Sequence, residues 1–212
     1  MDKTGQYVRF CPASKEKATG MPSKEYTRIC DLAADHFGYV TTSQVRERGG
    51  STDALRKMAK RGTLERISWG VYRLPTFPSS FFAEYMEASL WPVSVRGVIS
   101  HQSSLALRDL SDVSPSAIHI TVPADHRIRR QIPRHIVVHH AELSDTDITL
   151  YEGIPTTIIR RTIEDCHRAH LGPDLLRQAI TAAQKEGFLD PGDAADLMKR
   201  VLPEAIQEPS DE

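Results

Sequence analysis

The chain has 212 residues, with 27 Lys and Arg set against 28 Asp and Glu and a formal net charge of −1. That length is ample to bury a core, and the balance excludes a general polycation, so any affinity for phosphate must sit in a local patch. Cys11, Cys30 and Cys166 are odd in number and far apart, which argues against a disulfide framework or a cysteine zinc site. No apolar run could span a membrane and the N-terminus lacks the apolar stretch of a signal peptide, so a cytoplasmic protein without membrane partners is expected.

Residues 1–23 read as a flexible polar tail with Pro12 and Pro22. A helix is predicted over 24–37, with Tyr26, Ile29, Leu32 and Ala33 on its inner side and Gly38 at its end. Tyr39 and Val40 suit a short strand. The most informative stretch follows at 40–74, VTTSQVRERGGSTDALRKMAKRGTLERISWGVYRL. Thr41 or Thr42 can cap a helix, and Gln44 stands three residues after Thr41, a capping-box spacing. The helix over 43–48 stops at Gly49-Gly50, which permit a sharp turn. Ser51 is a good N-cap for a helix over 52–61. On it Leu55, Met58, Ala59 and Gly62 face inward by helical spacing, and Asp53, Arg56, Lys57 and Lys60 share the opposite face. Residues 64–67 and 71–74 alternate like strands around a Ser68-Trp69-Gly70 turn, and Pro75 ends the unit.

That order of elements is a winged helix-turn-helix over 24–75. Between Ser51 and Arg73 the basic residues are Arg56, Lys57, Lys60, Arg61, Arg66 and Arg73, and the acids are only Asp53 and Glu65. Phosphates attract such a patch, and polar side chains on an inserted helix read base edges in the major groove. The bland alternative is a solvated helix face beside a small hairpin. The element order, the glycine turn and the local charge favour DNA. The residues expected to meet double-stranded DNA are Thr42, Ser43, Gln44, Ser51, Thr52, Arg56, Lys57, Lys60, Arg61, Arg66 and Arg73.

A Pro- and Ser-rich stretch, LPTFPSS, marks a boundary, and a second domain is expected over 76–202. Helices are predicted over 81–90 and within 98–110, the latter starting near His101 or Ser103. Residues 117–122, 136–140 and 147–154 read as strands, and 156–170, 173–187 and 191–201 as helices. This is an α+β domain, a small sheet with helices packed on it. Residues 203–212 form an acidic, flexible tail.

Four phrases carry a family resemblance: the winged segment ending in WGVYRL, the helix phrase VISHQSSLALRDLSD, the strand AIHITVP, and GIPTTIIRRTIEDC. In order and spacing the chain resembles the AbiEi-family antitoxins of type IV toxin–antitoxin systems over about residues 26–189. The resemblance implies a transcriptional repressor whose winged helix binds inverted repeats at its own promoter. It also implies a C-terminal domain that supports cooperative, self-associating DNA binding and neutralises a nucleotidyltransferase-like toxin. The helical end of the second domain is where that toxin is expected.

Enzymatic readings find little support. Some related proteins join this N-terminal module to a nuclease-like domain, which needs a D/E-x-K element, and no Asp or Glu here has Lys two residues later. No G-x-x-x-x-G-K-[ST] or G-x-G-x-x-G loop offers a phosphate cradle. His139 and His140 point to opposite faces of a strand, and Cys166, His167 and His170 lack a fourth ligand, so surface or capping histidines are the expectation, with His101 a cap or packing residue. No catalytic residue, metal or cofactor is therefore expected. Arg127, Arg129, Arg130, Arg134 and His135 form a second basic cluster, read as a solvated loop, with contact to DNA backbone or to an acidic or RNA-binding partner surface as the alternative. Arg160, Arg161 and Arg168 suit salt bridges within a helix. Two alternatives stay open: a protein-only toxin inhibitor without specific DNA binding, and an antitoxin that covalently modifies its toxin by phosphorylation.

Overall fold

The computed structural model describes residues 23–202. The tails expected at 1–23 and 203–212, with Cys11, lie outside the described residues, except for Ser23. Ser23 caps the first helix, its Oγ accepting from Tyr26 N–H at 3.2 Å.

The chain divides into two compact units, with the boundary in sequence between Ser94 and Val95. In the first, helix α1 (Lys24–Ala34) buries Ile29, Cys30, Leu32 and Ala33. It ends three residues short of Phe37, because Phe37 and Gly38 take positive φ values of 52° and 88° and turn the chain into strand β1 (Tyr39–Thr41). Helices α2 (Thr42–Glu47) and α3 (Thr52–Lys60) follow, then strands β2 (Glu65–Ser68) and β3 (Val71–Arg73). The sheet order is β1-β3-β2, so the expected strand at Tyr39 and Val40 does pair with the wing. The hairpin turns on Trp69 and Gly70, with a register irregularity between Arg66 and Ser68. Val40, Val45, Leu55, Leu64, Tyr72 and Leu74 complete one apolar core with the α1 residues.

Composition put the boundary after Pro75, but helix α4 (Phe81–Leu90) belongs to the first unit. The tie is chemical: Tyr39 Oη donates to Glu87 Oε2 at 2.8 Å, and the Phe37 and Phe82 rings sit 6.1 Å apart. Burial, then the Glu87 bond, raises the Tyr39 phenol above its ordinary range.

The second unit is built on a five-stranded mixed sheet. Its strands are β4 (Val98–Ile99), β5 (Ile118–Val122), β6 (Ile136–His140), β7 (Ile148–Tyr151) and β8 (Ile154–Thr157), in the order β6-β5-β4-β8-β7. Two expectations change here. Val98 and Ile99, read as the lead-in to a helix, form the short central strand, and helix α5 spans His101–Leu107. The single strand expected over 147–154 is a hairpin, because Glu152 and Gly153 take φ values of 50° and 76° and fold β8 back on β7. β8 therefore claims Thr156 and Thr157 from the following helix, α6 (Ile159–Arg168). Helices α7 (Pro173–Lys185) and α8 (Pro191–Val201) each begin with Pro at the first turn, where the missing N–H costs nothing. Leu105, Ile163, Cys166, Leu176, Ile180 and Leu197 share their core.

Two of the quoted sequence phrases meet inside this unit as a buried polar network. Ser104 Oγ lies 2.9 Å from Thr156 Oγ1 and 3.0 Å from Thr162 Oγ1, and Thr157 Oγ1 lies 2.7 Å from Thr162 Oγ1. Arg108, only 7% exposed, donates to Ser104 Oγ at 2.6 Å and Thr156 Oγ1 at 3.0 Å. Its guanidinium packs over the Tyr151 and Phe188 rings, and burial lowers its pKa to about 10. Buried polar groups need such partners, so these residues are read as architecture.

Candidate nucleic-acid interface

The site grows from α2, α3 and the wing. The α2 capping box is complete: Gln44 N–H donates to Thr41 Oγ1 at 3.2 Å, and Thr41 N–H donates to Gln44 Oε1 at 2.8 Å. Gln44 Nε2 also lies 3.1 Å from His36 Nε2, so its side chain is committed to the fold rather than displayed. Thr42 N–H donates to Gly70 O at 2.9 Å, which fixes the wing turn against the start of α2. Thr42 and Ser43 are half-buried beside it.

The turn from α2 into α3 passes through a tight spot at Gly50. A β-carbon there would meet Val45 Cγ1 at 2.8 Å and Glu25 Oε1 at 2.9 Å, so the close approach requires glycine. Glu25 Oε1 also accepts from Ser51 N–H at 2.7 Å. Ser51 occupies the N-cap of α3, yet its hydroxyl makes no capping bond. It stays exposed at a helix N-terminus, where backbone N–H groups and the dipole favour anions. Thr52 is half-buried next to it.

α3 is pinned by Leu55, which has no exposed surface, with Met58 and Ala59 half-buried alongside. Gly62 does not face inward as its spacing suggested. It is exposed with φ 76° and terminates the helix, its N–H donating to Ala59 O at 3.1 Å while Thr63 N–H donates to Met58 O at 3.0 Å. With Leu55 turned in, Arg56, Lys57, Lys60 and Arg61 all stand exposed. Arg56 pairs with Asp53 at 2.8 Å, but both side chains are about 70% exposed, so the pair holds Arg56 weakly.

On the wing, Arg66 is exposed on β2. Arg73 is not displayed in the same way. Its Nη2 donates to Phe77 O at 2.9 Å and its guanidinium lies 5.7 Å from the Tyr39 ring centroid, a role inside the first unit. Trp69, 67% exposed, stands at the hairpin turn. Sequence reasoning passed over Arg46 and Arg48, both exposed around the α2–α3 turn. Their signal was available: two basic residues just before the glycine pair between the two helices. Taken together, this surface offers cations, a helix N-terminus and hydroxyls, a set suited to binding phosphate and base edges.

Residues 28–75, the segment that builds this surface, match a family model described as "Transcriptional regulator, AbiEi antitoxin". Over that segment the chain is similar to the AbiEi antitoxin family. The AbiEi match thus covers α2, α3 and the wing and most of α1, but not the second unit. No curated protein matches the chain. Among solved structures, the crystal structure of the RV2827C protein from Mycobacterium tuberculosis aligns at 14% identity and a TM-score of 0.40, covering 82% of this chain and 80% of that one. So distant a likeness carries no weight for the AbiEi-type surface.

The other charged clusters behave differently from the AbiEi-type surface. Arg127, Arg129, Arg134 and His135 are exposed and Arg130 half-buried, all on the connection between the parallel strands β5 and β6. Arg160 ties α6 to α8, reaching Asp193 at 2.5 Å and Asp196 at 2.7 Å. Arg161 and Arg168 both pair with Asp165, at 3.0 and 2.6 Å. Cys166 points into the core, where burial pushes its thiol up to about 12, while His167 and His170 are exposed. The Cys166–His167–His170 cluster weighed from sequence is therefore not assembled. No described helix is long and apolar enough to cross a membrane.

Proposed function

We propose that this chain is the cytoplasmic antitoxin of a bacterial toxin–antitoxin pair and represses its own operon. The observation that carries the reading is the exposed row Arg56, Lys57, Lys60 and Arg61 on a helix anchored by buried Leu55, within a segment of the AbiEi family. α3 enters the major groove. Arg56, Lys57 and Lys60 contact bases or phosphates, and the exposed N-terminus of α3 with Ser51 receives a phosphate. Arg66 holds the backbone beside the wing. So small a footprint gains specificity when two copies self-associate on an inverted repeat.

The second unit neutralises a nucleotidyltransferase-like toxin by binding it. The chain acts on that toxin by binding, without catalysis of its own. The deciding experiment pairs two assays on the purified chain: a mobility shift on its own upstream DNA against scrambled DNA, and co-purification with the product of the neighbouring gene. Selective shift plus co-purification supports the reading. Toxin binding without a selective shift replaces it with a protein-only inhibitor, and a phosphate found by mass spectrometry on the co-purified toxin replaces it with a modifying antitoxin.

A further inference from the structure

Three histidines from separate elements converge in the second unit. His119 lies on β5 and His139 on β6. The parallel register sets His119 beside Val137 and Thr121 beside His139, so the two imidazoles share one face of the sheet. β4 runs antiparallel to β5, and Ser100 N–H donates to His119 O at 3.0 Å, which delivers the next residue, His101, to the same place. His119 Nδ1 lies 3.0 Å from His139 Nε2, and the His101 and His139 rings stack with centroids 3.6 Å apart. One ring nitrogen from each histidine lies within 4.8 Å of the other two. His101 is buried and the other two are half-buried. His101 also holds φ 52°, a left-handed conformation that a β-carbon resists and that surrounding structure must enforce.

We propose that His101, His119 and His139 bind a zinc-class divalent ion, one ring nitrogen each, with a fourth position open to water. Two nitrogens on a tetrahedral zinc stand about 3.3 Å apart, given bonds of about 2.0–2.1 Å. The His119–His139 separation is already close to that, and His101 offers a nitrogen within 4.8 Å of both. The ligand set is all imidazole, which suits zinc and its neighbours and excludes the oxygen-seeking magnesium and calcium. A second layer orients the ligands. His101 Nδ1 lies 3.0 Å from Ser100 Oγ, which accepts from Thr121 Oγ1 at 2.8 Å, and Ser103 Oγ accepts from His119 N–H at 2.8 Å. In the tautomer that donates from Nδ1 to Ser100, His101 Nε2 keeps its lone pair for the ion.

Arg161 and Arg168 stand near enough to weigh on His101, and both are held by Asp165. The bound ion ties β5, β6 and the start of α5 together. This site goes beyond the DNA-binding and antitoxin reading and stands or falls separately from it.

The test strips the full chain with a chelator and titrates it with cobalt(II), a spectroscopic stand-in for zinc. The expected result is one ion per chain with the intense visible bands of four-coordinate cobalt, displaced by zinc. His119→Gln and His139→Gln should each weaken binding at least about tenfold. Absent bands, or full-strength binding in folded variants, would overturn the site in favour of a packed stack of neutral imidazoles. Should a variant fail to fold, X-ray absorption on the zinc-loaded native chain decides: three imidazole scatterers support the site, and one, two or an oxygen-only shell sinks it.

Discussion

α3 and α6 each carry three arginine or lysine side chains, and they do opposite things with them. On α6 the three arginines have carboxylate partners: Arg160 with Glu164, Asp193 and Asp196, Arg161 with Asp147 and Asp165, and Arg168 with Asp165. On α3 Arg56 pairs with Asp53 in the open, and Lys57, Lys60 and the C-capping Arg61 face solvent. The difference lies in what surrounds the charge. An arginine held against a buried carboxylate fixes helix packing, whereas exposed cations over a buried leucine leave a surface ready for phosphate.

The largest effect expected from this contrast is on stability. Arg161 is 16% exposed and Asp165 only 6%, so Arg161→Ala leaves a nearly buried carboxylate with the exposed Arg168 alone. That should lower unfolding free energy by about 2–3 kcal/mol, less than a fully buried pair because one partner remains. Urea unfolding checks it, and a loss within experimental error would erase the distinction between the helices. Next comes Arg56→Ala/Lys57→Ala on α3. It should leave the urea midpoint unchanged while weakening promoter binding by about tenfold or more and flattening the salt dependence by about one unit per lost phosphate contact. Unfolding of this variant would mean that α3 is held by its charges after all.

A smaller effect is expected at Thr41. Thr41→Ala removes the capping-box acceptor of α2 and should cost about 1 kcal/mol in the first unit, read by thermal unfolding. The smallest concerns acid. Bonds from the Ser144 hydroxyl and then the Ser144 N–H, with help from Arg161, hold the Asp147 carboxyl below its ordinary value near 3.8. Its folded pKa is depressed, so its contribution is present above about pH 4 and fades as pH falls through the folded value. Asp147→Asn should therefore flatten the acid limb of a stability–pH curve below pH 4 and lower stability slightly at pH 7, where the native carboxylate's contribution is fully present.

The first unit was largely legible because its signals are local. Thr41 and Gln44 announce a capping box, Gly49-Gly50 a turn, and the 3.6-residue spacing of Leu55 and Met58 the buried face of α3. The partners of Arg73, Phe77 and Tyr39, and of Gln44, His36, were not legible because they depend on how the chain folds back. The second unit hid more. Two residues, Val98 and Ile99, are too few to show alternation, although they form the central strand. The histidine cluster joins positions 101, 119 and 139, brought together by a parallel register that no spacing rule reveals. The adjacent pair His139 and His140 drew attention, while the productive neighbour of His139 lay one strand away.

The central claim is that the α3 surface binds DNA selectively. It is tested most directly by fluorescence anisotropy of the full chain on its own upstream duplex and on a scrambled duplex, across two salt concentrations. The account predicts tighter binding to the upstream duplex, falling steeply with salt, and loss of that preference in Arg56→Ala/Lys57→Ala. Equal affinity for both duplexes, or native-like selectivity in the double variant, would contradict it.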